Sequence, residues 1–389
     1  MTRHYLDHAS AAPLRPSAFE AMVPFLRDHP ADPGRLHAEG RLTRVALETA
    51  REQVAALVGA RPREVVFTSG GTEAANAAVH GAVARAVEQG RTPHLVIGAI
   101  EHSCVRESAE RSVHDLGGSI TVVGCDAEGR VEPSALAAAV RADTALVAIQ
   151  VANHEVGAIQ PVADAVPAVR AAAERCGAAP LVLADAASAV GHIRVDLGSL
   201  GVDLAVVSAH KFGGPKGAGA MYVRRGLRVP PFVLGGAQER ARRAGVEDVA
   251  AMVGFGAAAA EVADALDAEA TRNAAQCDRI ARDATAVDGV ARVGPADPAR
   301  RLPHLVCLTV EGVEAEPILL ALDQRGVAVH SGSACSSETL EPSPVLLAMG
   351  ADADRSLRVS VGWNTSDADA AAFGPAFTDA LAALRSLRG

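Results

Sequence analysis

Lysine is almost absent from this sequence. Of the 37 lysines and arginines among its 389 residues, only Lys211 and Lys216 are lysine, both within "SAHKFGGPKGAGAMYV". Arginine stays charged at any useful pH, whereas a desolvated lysine can lose its proton and form a Schiff base. Lys211 follows the apolar run "DLAVVS" (203–208), in the type of loop where open α/β sheets bind ligands. This position favours catalysis by Lys211 over an ordinary surface role, whereas Lys216, among glycines, is more typical of a surface or backbone contact.

A Schiff-base lysine suggests pyridoxal phosphate (PLP) as cofactor, and three further features match what PLP requires. The stretch "TSGGTEAAN" (68–76) combines a strand end, a glycine turn and a helix N-terminus, which together can bind a phosphate. Asp185 ends the strand-like run "PLVLAD", where its carboxylate could pair with the pyridine nitrogen or cap a helix. His102 follows "HLVIGAI" and could cover the ring, although a lone histidine there is often a plain loop residue.

One cysteine lies in unusual surroundings. Cys335 stands in the soft, polar segment "HSGSACSSETLEPS" (330–343), where an incidental exposed thiol and a reactive thiol are both possible interpretations. No CxxC pair is present, which argues against a structural zinc site and against a disulfide framework. The six cysteines are scattered through the chain, at 104, 125, 176, 277, 307 and 335.

Apolar strand-like runs alternate with helical patterns over about residues 45–225, which predicts an α/β protein with a mostly parallel sheet. Seven such runs are present, and most of them are near-continuously apolar, as expected for strands covered by helices on both faces. The regular alternation of strands and helices ends near residue 257, where a long helical stretch (257–288) leads into the strands and helices of a smaller unit. We predict a large α/β domain at 14–256 and a small α+β domain formed by 1–13 and 257–389.

Composition and charge exclude several classes of partner. The chain is 49% hydrophobic and 21% charged, with a formal net charge of −9, which is ordinary for a soluble globular protein. No Lys/Arg-rich run is present, so we expect no direct nucleic-acid binding. No stretch resembles a signal peptide or a membrane span, so we expect no membrane association and a cytoplasmic location. No clustered metal ligands are expected either.

Several motifs together resemble the cysteine desulfurases, PLP enzymes of the class V aminotransferase fold (PLP fold type I). They occur in family order over about residues 5–362, nearly the whole chain, and "SGSAC" resembles the type with a longer, mobile cysteine loop. The motifs are "YLDHASAAP" (5–13), "TSGGTEAAN" (68–76), "EH" (101–102), "ANHEVGAIQP" (152–161), "LADAASAVG" (183–191), "SAHKFGGPKGAGAMYV" (208–223), "GGAQERARRAG" (235–245) and "SGSACSSETLEPS" (331–343). The resemblance implies the seven-stranded sheet of the large domain and a homodimer.

The resemblance also implies a reaction and its residues. L-Cysteine would be converted to L-alanine, and the sulfur would pass to Cys335 as a persulfide and then to a protein acceptor. Lys211 would hold PLP and move the substrate's Cα proton, while His102 would stack on the ring and act as acid or base. The remaining contacts implied are Asp185 at the pyridine nitrogen, Gly71, Thr72, Ser208 and His210 at the phosphate, His154 and Ser188 near the ring, and Asn153 and Arg358 at the substrate.

Three positions depart from the family pattern. His154 stands where a second asparagine is usual, and Ser188 replaces a glutamine that contacts the ring hydroxyl. Val246 replaces a threonine that reaches the phosphate from the other subunit, so one hydrogen bond would be lost unless Arg240, Arg242 or Arg243 compensates. These changes bear on the cofactor contacts and on the substrate range. They leave Lys211 and Cys335 untouched.

Two rival functions stay open at this stage. The chain could be another class V PLP enzyme, such as an aminotransferase or a selenocysteine or cysteine-sulfinate lyase, for which Cys335 would be dispensable. It could also be a non-catalytic PLP-binding scaffold, although a scaffold has no need to keep Lys211, His102 and Cys335 together. The acceptor pathway, whether iron–sulfur clusters, tRNA thiolation or another sulfur-requiring route, is left undecided by the sequence.

Overall fold

The computed structural model describes residues 2–332 and 342–387 and divides its strands among three sheets. The strands are β1 (His4–Tyr5), β2 (Val65–Thr68), β3 (His94–Gly98), β4 (Ser119–Val123), β5 (Thr144–Gln150), β6 (Leu181–Asp185), β7 (Leu204–Ser208), β8 (Gly219–Val223), β9 (Val290–Val293), β10 (Leu305–Val310), β11 (Val327–Ala328), β12 (His330–Ser331) and β13 (Ser356–Ser360). The helices are α1 (Pro16–Arg27), α2 (Ala38–Leu57), α3 (Gly71–Glu88), α4 (Ser103–Leu116), α5 (Pro133–Ala138), α6 (Val162–Cys176), α7 (Leu197–Leu200), α8 (Gln238–Ala241), α9 (Val249–Thr285), α10 (Ala315–Gln324), α11 (Pro344–Ala348) and α12 (Asp367–Ser386).

The large sheet has seven strands in the order β2-β8-β7-β6-β5-β3-β4, which confirms the predicted α/β class and the mostly parallel sheet. Strands β7, β6, β5, β3 and β4 pair in parallel, and β8 runs antiparallel to both β7 and β2. Every residue of β3, β5, β6, β7 and β8 is buried. Neighbours along a strand enter different cores: Leu146 packs in one and Val147 in the other. Helices on both faces therefore explain the continuous apolar runs.

All strands of this sheet except β8 point the same way, so their carboxyl ends share one edge. Thr68 at the end of β2 and Ser208 at the end of β7 both pair with Gly219 of the strand between them. Asp185 ends β6, next to β7. Binding sites of open α/β sheets lie at this edge, and the loops that follow β2, β3, β6 and β7 meet there.

A smaller antiparallel sheet, β12-β13-β10-β9, has its own apolar core. The N-terminal segment lies beside it: β1 pairs in parallel with β11, and Asp7 forms a single bridge with Ser360 of β13. Residues from the start of the chain are thereby fixed next to residues more than 320 positions away, His4 opposite Val327 for example. The proposed division at 14–256 stays a prediction.

Helix α9 connects the two cores. Its residues as far as Leu266 pack in the core of the large sheet, and its residues from Cys277 onward pack in the core of the small sheet. The helix begins at Val249, eight residues before the predicted start at 257, because the Asp248 side chain caps it by accepting from the Ala251 N–H at 3.0 Å. The predicted domain boundary therefore falls inside this helix.

Helix α9 is also the one helix in the described part of the chain that is long and apolar enough to cross a membrane by length and composition. Of its most apolar stretch, 61% is buried within the protein. Such a helix is weak support for a span, because a buried core helix has the same length and composition.

Candidate active site

A cavity of about 180 Å³ lies at the carboxyl edge of the large sheet. Every residue expected to contact the cofactor lines it: Gly71, Thr72, His102, His154, Asp185, Ser188, Ser208, His210 and Lys211. Four further lining residues were not singled out from the sequence: Cys104, Gln150, Ala187 and Val206. The structure therefore brings together side chains that lie up to 140 positions apart, Gly71 and Lys211 being the most distant pair.

Lys211 enters the cavity from a short 3-10 turn, Ala209–Lys211, that directly follows β7. Its Nζ donates hydrogen bonds to the carbonyl oxygens of Ala9 at 2.7 Å and Ser10 at 3.3 Å. The N-terminal segment thus reaches the candidate catalytic lysine, a contact that no local pattern in the sequence indicated.

Buried histidines lie behind Lys211. The Nε2 of His192 lies 3.1 Å from the Lys211 carbonyl oxygen, and its ring stacks on His304 with centroids 3.5 Å apart. Burial lowers the pKa of His192 to about 3, opposed by the hydrogen bond to the Lys211 carbonyl, and burial lowers the pKa of His8 to about 4. These rings are therefore neutral at physiological pH, and they add no positive charge next to Lys211.

The turn before α3 has the features of a phosphate site. Its N-cap, Gly70, has a φ of 156° and no side chain to cap the helix, so the first N–H groups of α3 point towards a ligand position. A Cβ on Gly71 would lie 3.3 Å from the Ser208 Cβ, so glycine keeps space open beside that hydroxyl. The Ser208 Oγ lies 3.0 Å from the Nδ1 of His210.

The donors around this turn suit an anion. Burial, with Lys211 and Lys216 adding to it, lowers the pKa of His210 to about 4, so its ring is neutral and can share a proton with Ser208. Glu73 in the first turn of α3 is neutralised by Arg243, whose Nε and Nη2 donate at 2.9 and 3.1 Å. Backbone N–H groups, hydroxyls and a neutral imidazole therefore face the position where a phosphate would bind.

A buried ion pair between Arg51 and Glu239 supports β2, the strand that leads to the turn before α3. Both terminal nitrogens of Arg51 donate to the Glu239 carboxylate at 2.7 Å, and Glu239 also accepts from the Phe67 N–H in β2 at 2.9 Å. Glu239, Arg240 and Ala241 have φ of 48°, 60° and 61°, a conformation that non-glycine residues rarely adopt. The ion pair holds this strained turn against the strand that leads to the phosphate site.

Asp185 is 8% exposed and lines the cavity from the end of β6. Its Oδ1 accepts from the Ala187 N–H at 3.0 Å, so it closes the turn after β6. The two readings from the sequence, a turn cap and a cavity carboxylate, therefore both apply to the same side chain.

His102 caps α4 with its ring. Its Nδ1 accepts from the Cys104 N–H at 3.1 Å, and the Cys104 Sγ lies 3.0 Å from the same nitrogen. Because a backbone N–H can only donate, the proton of the neutral ring is on Nε2. The His154 ring meets it edge to face, with centroids 4.9 Å apart. His102 therefore presents an N–H donor on the side away from its helix.

Arg358 and Asn153 do not line the cavity, although both lie close to it. Arg358 in β13 is 1% exposed and donates through Nη1 to the His154 carbonyl oxygen at 2.9 Å. Asn153 is fully buried: its Oδ1 accepts from the N–H groups of Glu155 and Val156, and its Nδ2 donates to Ile100. Asn153 thus shapes the turn that carries His154, and its expected contact with substrate stays a prediction, as does that of Arg358.

Comparison with known proteins places the chain in a family. The model of the family described as Aminotransferase class-V matches residues 4–373. The chain belongs to the class V aminotransferase family. It is 40% identical over 369 residues to "Cysteine desulfurase IscS" of Dictyoglomus turgidum, covering 94% of this chain and 91% of the relative. It is 38% identical to the "IscS-like cysteine desulfurase" of Mycobacterium tuberculosis, covering 94% and 93%.

Solved structures agree with this assignment. A NifS-like protein superposes with a TM-score of 0.89 at 29% identity, covering 98% of this chain and 100% of the other. The structure named "SspA in complex with cysteine" superposes with a TM-score of 0.79 at 28% identity, covering 92% and 98%. The resemblance first noted in short motifs is therefore confirmed over nearly the whole length of this class V chain.

Members of the class V family are PLP enzymes, and the residues of this cavity fit that cofactor. The glycine turn leaves room beside Ser208, the donor set matches a phosphate, and a lysine and a carboxylate stand at the carboxyl ends of neighbouring strands. Of the departures from the family, His154 and Ser188 line the cavity, whereas Val246 is 64% exposed. The nearby arginines have partners elsewhere: Arg240 pairs with Glu48, Arg242 with the Arg63 carbonyl oxygen and Arg243 with Glu73.

Glu101, which precedes His102, is a buried carboxyl that no pattern in the sequence indicated. It is 2% exposed, its Oε1 accepts from the Gln150 N–H at 2.8 Å, and its Oε2 has no partner among the described residues. Burial, and then the charge of Asp185, raises the pKa of Glu101 to about 8, opposed by the Gln150 N–H and His154. Glu101 is therefore a neutral acid at pH 7.

Cys335 lies outside the described residues, and its role stays a prediction. The chain on both sides of that segment is fixed beside the site. His330 in β12 pairs with Arg358 across the small sheet, and the Ser343 hydroxyl donates to Glu155, which follows His154. In the described ranges, no group of three or more histidine, cysteine, aspartate or glutamate side chains is placed to hold a metal ion.

Proposed function

We propose that this class V enzyme is a cysteine desulfurase that converts L-cysteine to L-alanine and transfers the sulfur to an enzyme cysteine. The observation that carries the proposal is the meeting of Lys211, Asp185 and the glycine phosphate turn in one cavity of a chain 40% identical to a named cysteine desulfurase. A structure named as a complex with cysteine among the neighbours supports the choice of substrate.

PLP, when bound, supplies an electron sink that makes the substrate's Cα–H acidic. Lys211 would hold the cofactor covalently through its Nζ and would then carry the substrate's Cα proton, and Asp185 would keep the pyridine nitrogen protonated. His102 would cover the ring and would offer its Nε2 proton. His154 and Ser188 would lie near the ring, and Gly71, Thr72, Ser208 and His210 would hold the phosphate.

Two residues then act on the substrate itself. Arg358 binds its carboxylate, with Asn153 holding the neighbouring turn. The Cys335 thiolate attacks the substrate sulfur, so an S–S bond forms while the substrate's C–S bond breaks. The electron pair of that bond stays on the former β-carbon, which takes up a proton to give the methyl group of alanine. The persulfide on Cys335 is then passed to a protein acceptor, in the cytoplasm.

The enzyme acts as a homodimer in this proposal. Large apolar side chains of the first two helices and the loop between them are exposed, including Phe19 at 56%, Leu26 at 66% and Leu36 at 87%. Such a patch is typical of a surface covered by another chain. Sedimentation velocity that gives a monomer at micromolar concentration would contradict this part of the proposal.

The test is an assay of L-alanine and sulfide released from L-cysteine in the presence of a thiol reductant. We expect both products from the wild type and neither from Lys211→Ala, which should also lose the visible absorbance of the lysine-bound cofactor. Cys335→Ala should keep that absorbance and stop sulfur transfer. Lys216→Ala and Cys176→Ala are the matched controls, because they remove a lysine and a thiol outside the cavity.

Each result has a defined meaning. Failure of the wild type to release either product contradicts the desulfurase proposal. Full activity of Cys335→Ala towards the best substrate would instead favour another class V lyase or aminotransferase. An unchanged cofactor band in Lys211→Ala would mean that the lysine assignment is wrong.

A further inference from the structure

The guanidinium of Arg358 is already bonded within the protein. Its Nη1 donates to the His154 carbonyl oxygen at 2.9 Å. Its Nη2 donates twice, to the Ser10 hydroxyl at 2.6 Å and to Asp7 Oδ1 at 3.1 Å. Ser10 in turn donates to the same Asp7 oxygen at 2.9 Å, which closes a triangle of three side chains. The Nε of Arg358 is buried without a partner among the described residues.

This arrangement leaves no complete fork for a carboxylate. A carboxylate binds arginine through two parallel hydrogen bonds, either to both terminal nitrogens or to Nε and the terminal nitrogen beside it. Nη2 takes part in both forks, and its two hydrogens are held by Asp7 and Ser10. A substrate carboxylate must therefore displace one of these two acceptors before it can bind in a bidentate manner.

Ser10 is the acceptor that can leave more easily. Asp7 is fixed by its bridge to Ser360 and carries the charge that balances the buried guanidinium. Ser10 is neutral, and rotation about one side-chain bond moves its hydroxyl away from Nη2 without moving the backbone. Its carbonyl oxygen accepts from Lys211, so the hydroxyl lies on a residue that is already part of the site.

We propose that the Ser10 hydroxyl occupies the carboxylate position of Arg358 and is displaced by substrate, so that Ser10 sets the affinity for α-carboxylates. This inference rests on the proposed function in assigning an amino-acid substrate to this site. The competing hydroxyl lowers the affinity of Arg358 for any carboxylate. Removing the Ser10 hydroxyl should therefore increase the affinity for amino acids roughly three- to tenfold, which corresponds to the loss of one competing hydrogen bond.

The experiment measures equilibrium binding to the PLP-loaded enzyme through the change in cofactor absorbance. The probes are L-alanine, which carries the carboxylate, and L-alaninamide, which lacks it. We expect Ser10→Ala to lower the Kd of L-alanine about three- to tenfold and to leave the Kd of L-alaninamide unchanged. Because neither probe needs sulfur transfer, failure of the desulfurase assay and failure of this inference can be told apart.

Ser360→Ala is the matched control. The Ser360 hydroxyl accepts from the Ala9 N–H at 2.9 Å, so it anchors the same N-terminal segment without contacting Arg358. The inference is supported if only Ser10→Ala tightens L-alanine binding. It is overturned if Ser10→Ala weakens or does not change L-alanine binding, if Ser360→Ala has the same effect, or if the wild type binds L-alaninamide as tightly as L-alanine.

Discussion

Replacing Glu101 by glutamine tests whether the neutral acid beside Asp185 is correctly described. The substitution keeps the shape of the side chain and its acceptor for the Gln150 N–H, and removes its ability to ionise. Between pH 4.5 and about 8 the folded protein holds a proton on Glu101 that the unfolded chain has lost. The contribution of Glu101 to the free energy of unfolding is therefore fully present below pH 4.5 and is lost as the pH rises through about 8.

The size of the effect follows from the same shift. Raising the pKa of Glu101 from 4.5 to about 8 corresponds to a free energy on the order of 5 kcal/mol for charging the buried carboxyl. Within this window the wild type should lose about 1.4 kcal/mol of stability per pH unit from this group, and the Glu101→Gln variant should not. The free energy of unfolding of the variant should therefore increase steadily relative to that of the wild type as the pH rises.

Denaturant unfolding of the PLP-loaded enzymes at about pH 5, 6, 7 and 8 measures this difference directly. Glu107→Gln is the control, since Glu107 lies exposed on the helix that follows Glu101. The reasoning fails if the difference in unfolding free energy between Glu101→Gln and the wild type is the same at pH 5 and pH 8. It also fails if the control variant shows an equal dependence on pH.

Two further predictions concern the support of the site. Glu239→Gln removes the buried carboxylate that pairs with Arg51 and leaves only the partly exposed Glu48, 3.2 Å from Arg51 Nε, to balance its charge, so the free energy of unfolding, measured in denaturant, should fall by about 3 kcal/mol. A loss below about 1 kcal/mol would show that the pair is not structural. Burial lowers the pKa of His192 to about 3, so below pH 6.5 this histidine is protonated in the unfolded chain and stays neutral in the folded protein. The free energy of unfolding should therefore fall as the pH falls below 6.5. His192→Asn should flatten this acid slope, and unfolding curves that fall in parallel from pH 7 to pH 5 would refute the explanation.

The residues at strand ends could be predicted because a parallel sheet imposes their neighbourhood. Lys211, Asp185 and His102 each follow an apolar run, and the shared direction of the strands places all three at one edge. No long-range information was needed beyond the alternation of strands and helices. Helix α6 also ends for a local reason, since Gly177 adopts the left-handed conformation that glycine favours.

Contacts made by the N-terminal segment could not be predicted in this way. Arg358 donates a hydrogen bond to Ser10, 348 positions away in the sequence, and Lys211 donates one to Ala9, 202 positions away. Both contacts depend on how the N-terminal segment packs beside the small sheet. Asp7 and Ser10 lie in the motif "YLDHASAAP" (5–13), but nothing in that motif indicates a contact with Arg358. Glu101 was missed for another reason, since composition and spacing do not reveal that a glutamate beside a histidine is buried.

His154, which stands where the family usually has an asparagine, contributes to the site through its backbone carbonyl and, separately, through its ring. Its carbonyl oxygen accepts from Arg358, and any residue at this position would provide the same acceptor. Its ring lines the cavity, meets His102 edge to face, and has its Nε2 3.5 Å from Glu155 Oε1. The substitution from the usual asparagine therefore leaves the support of Arg358 intact and changes only the face presented to the cofactor. A change in substrate range caused by His154 should consequently act through the ring of the cofactor and its cover, whereas selectivity for the carboxylate should depend on Ser10.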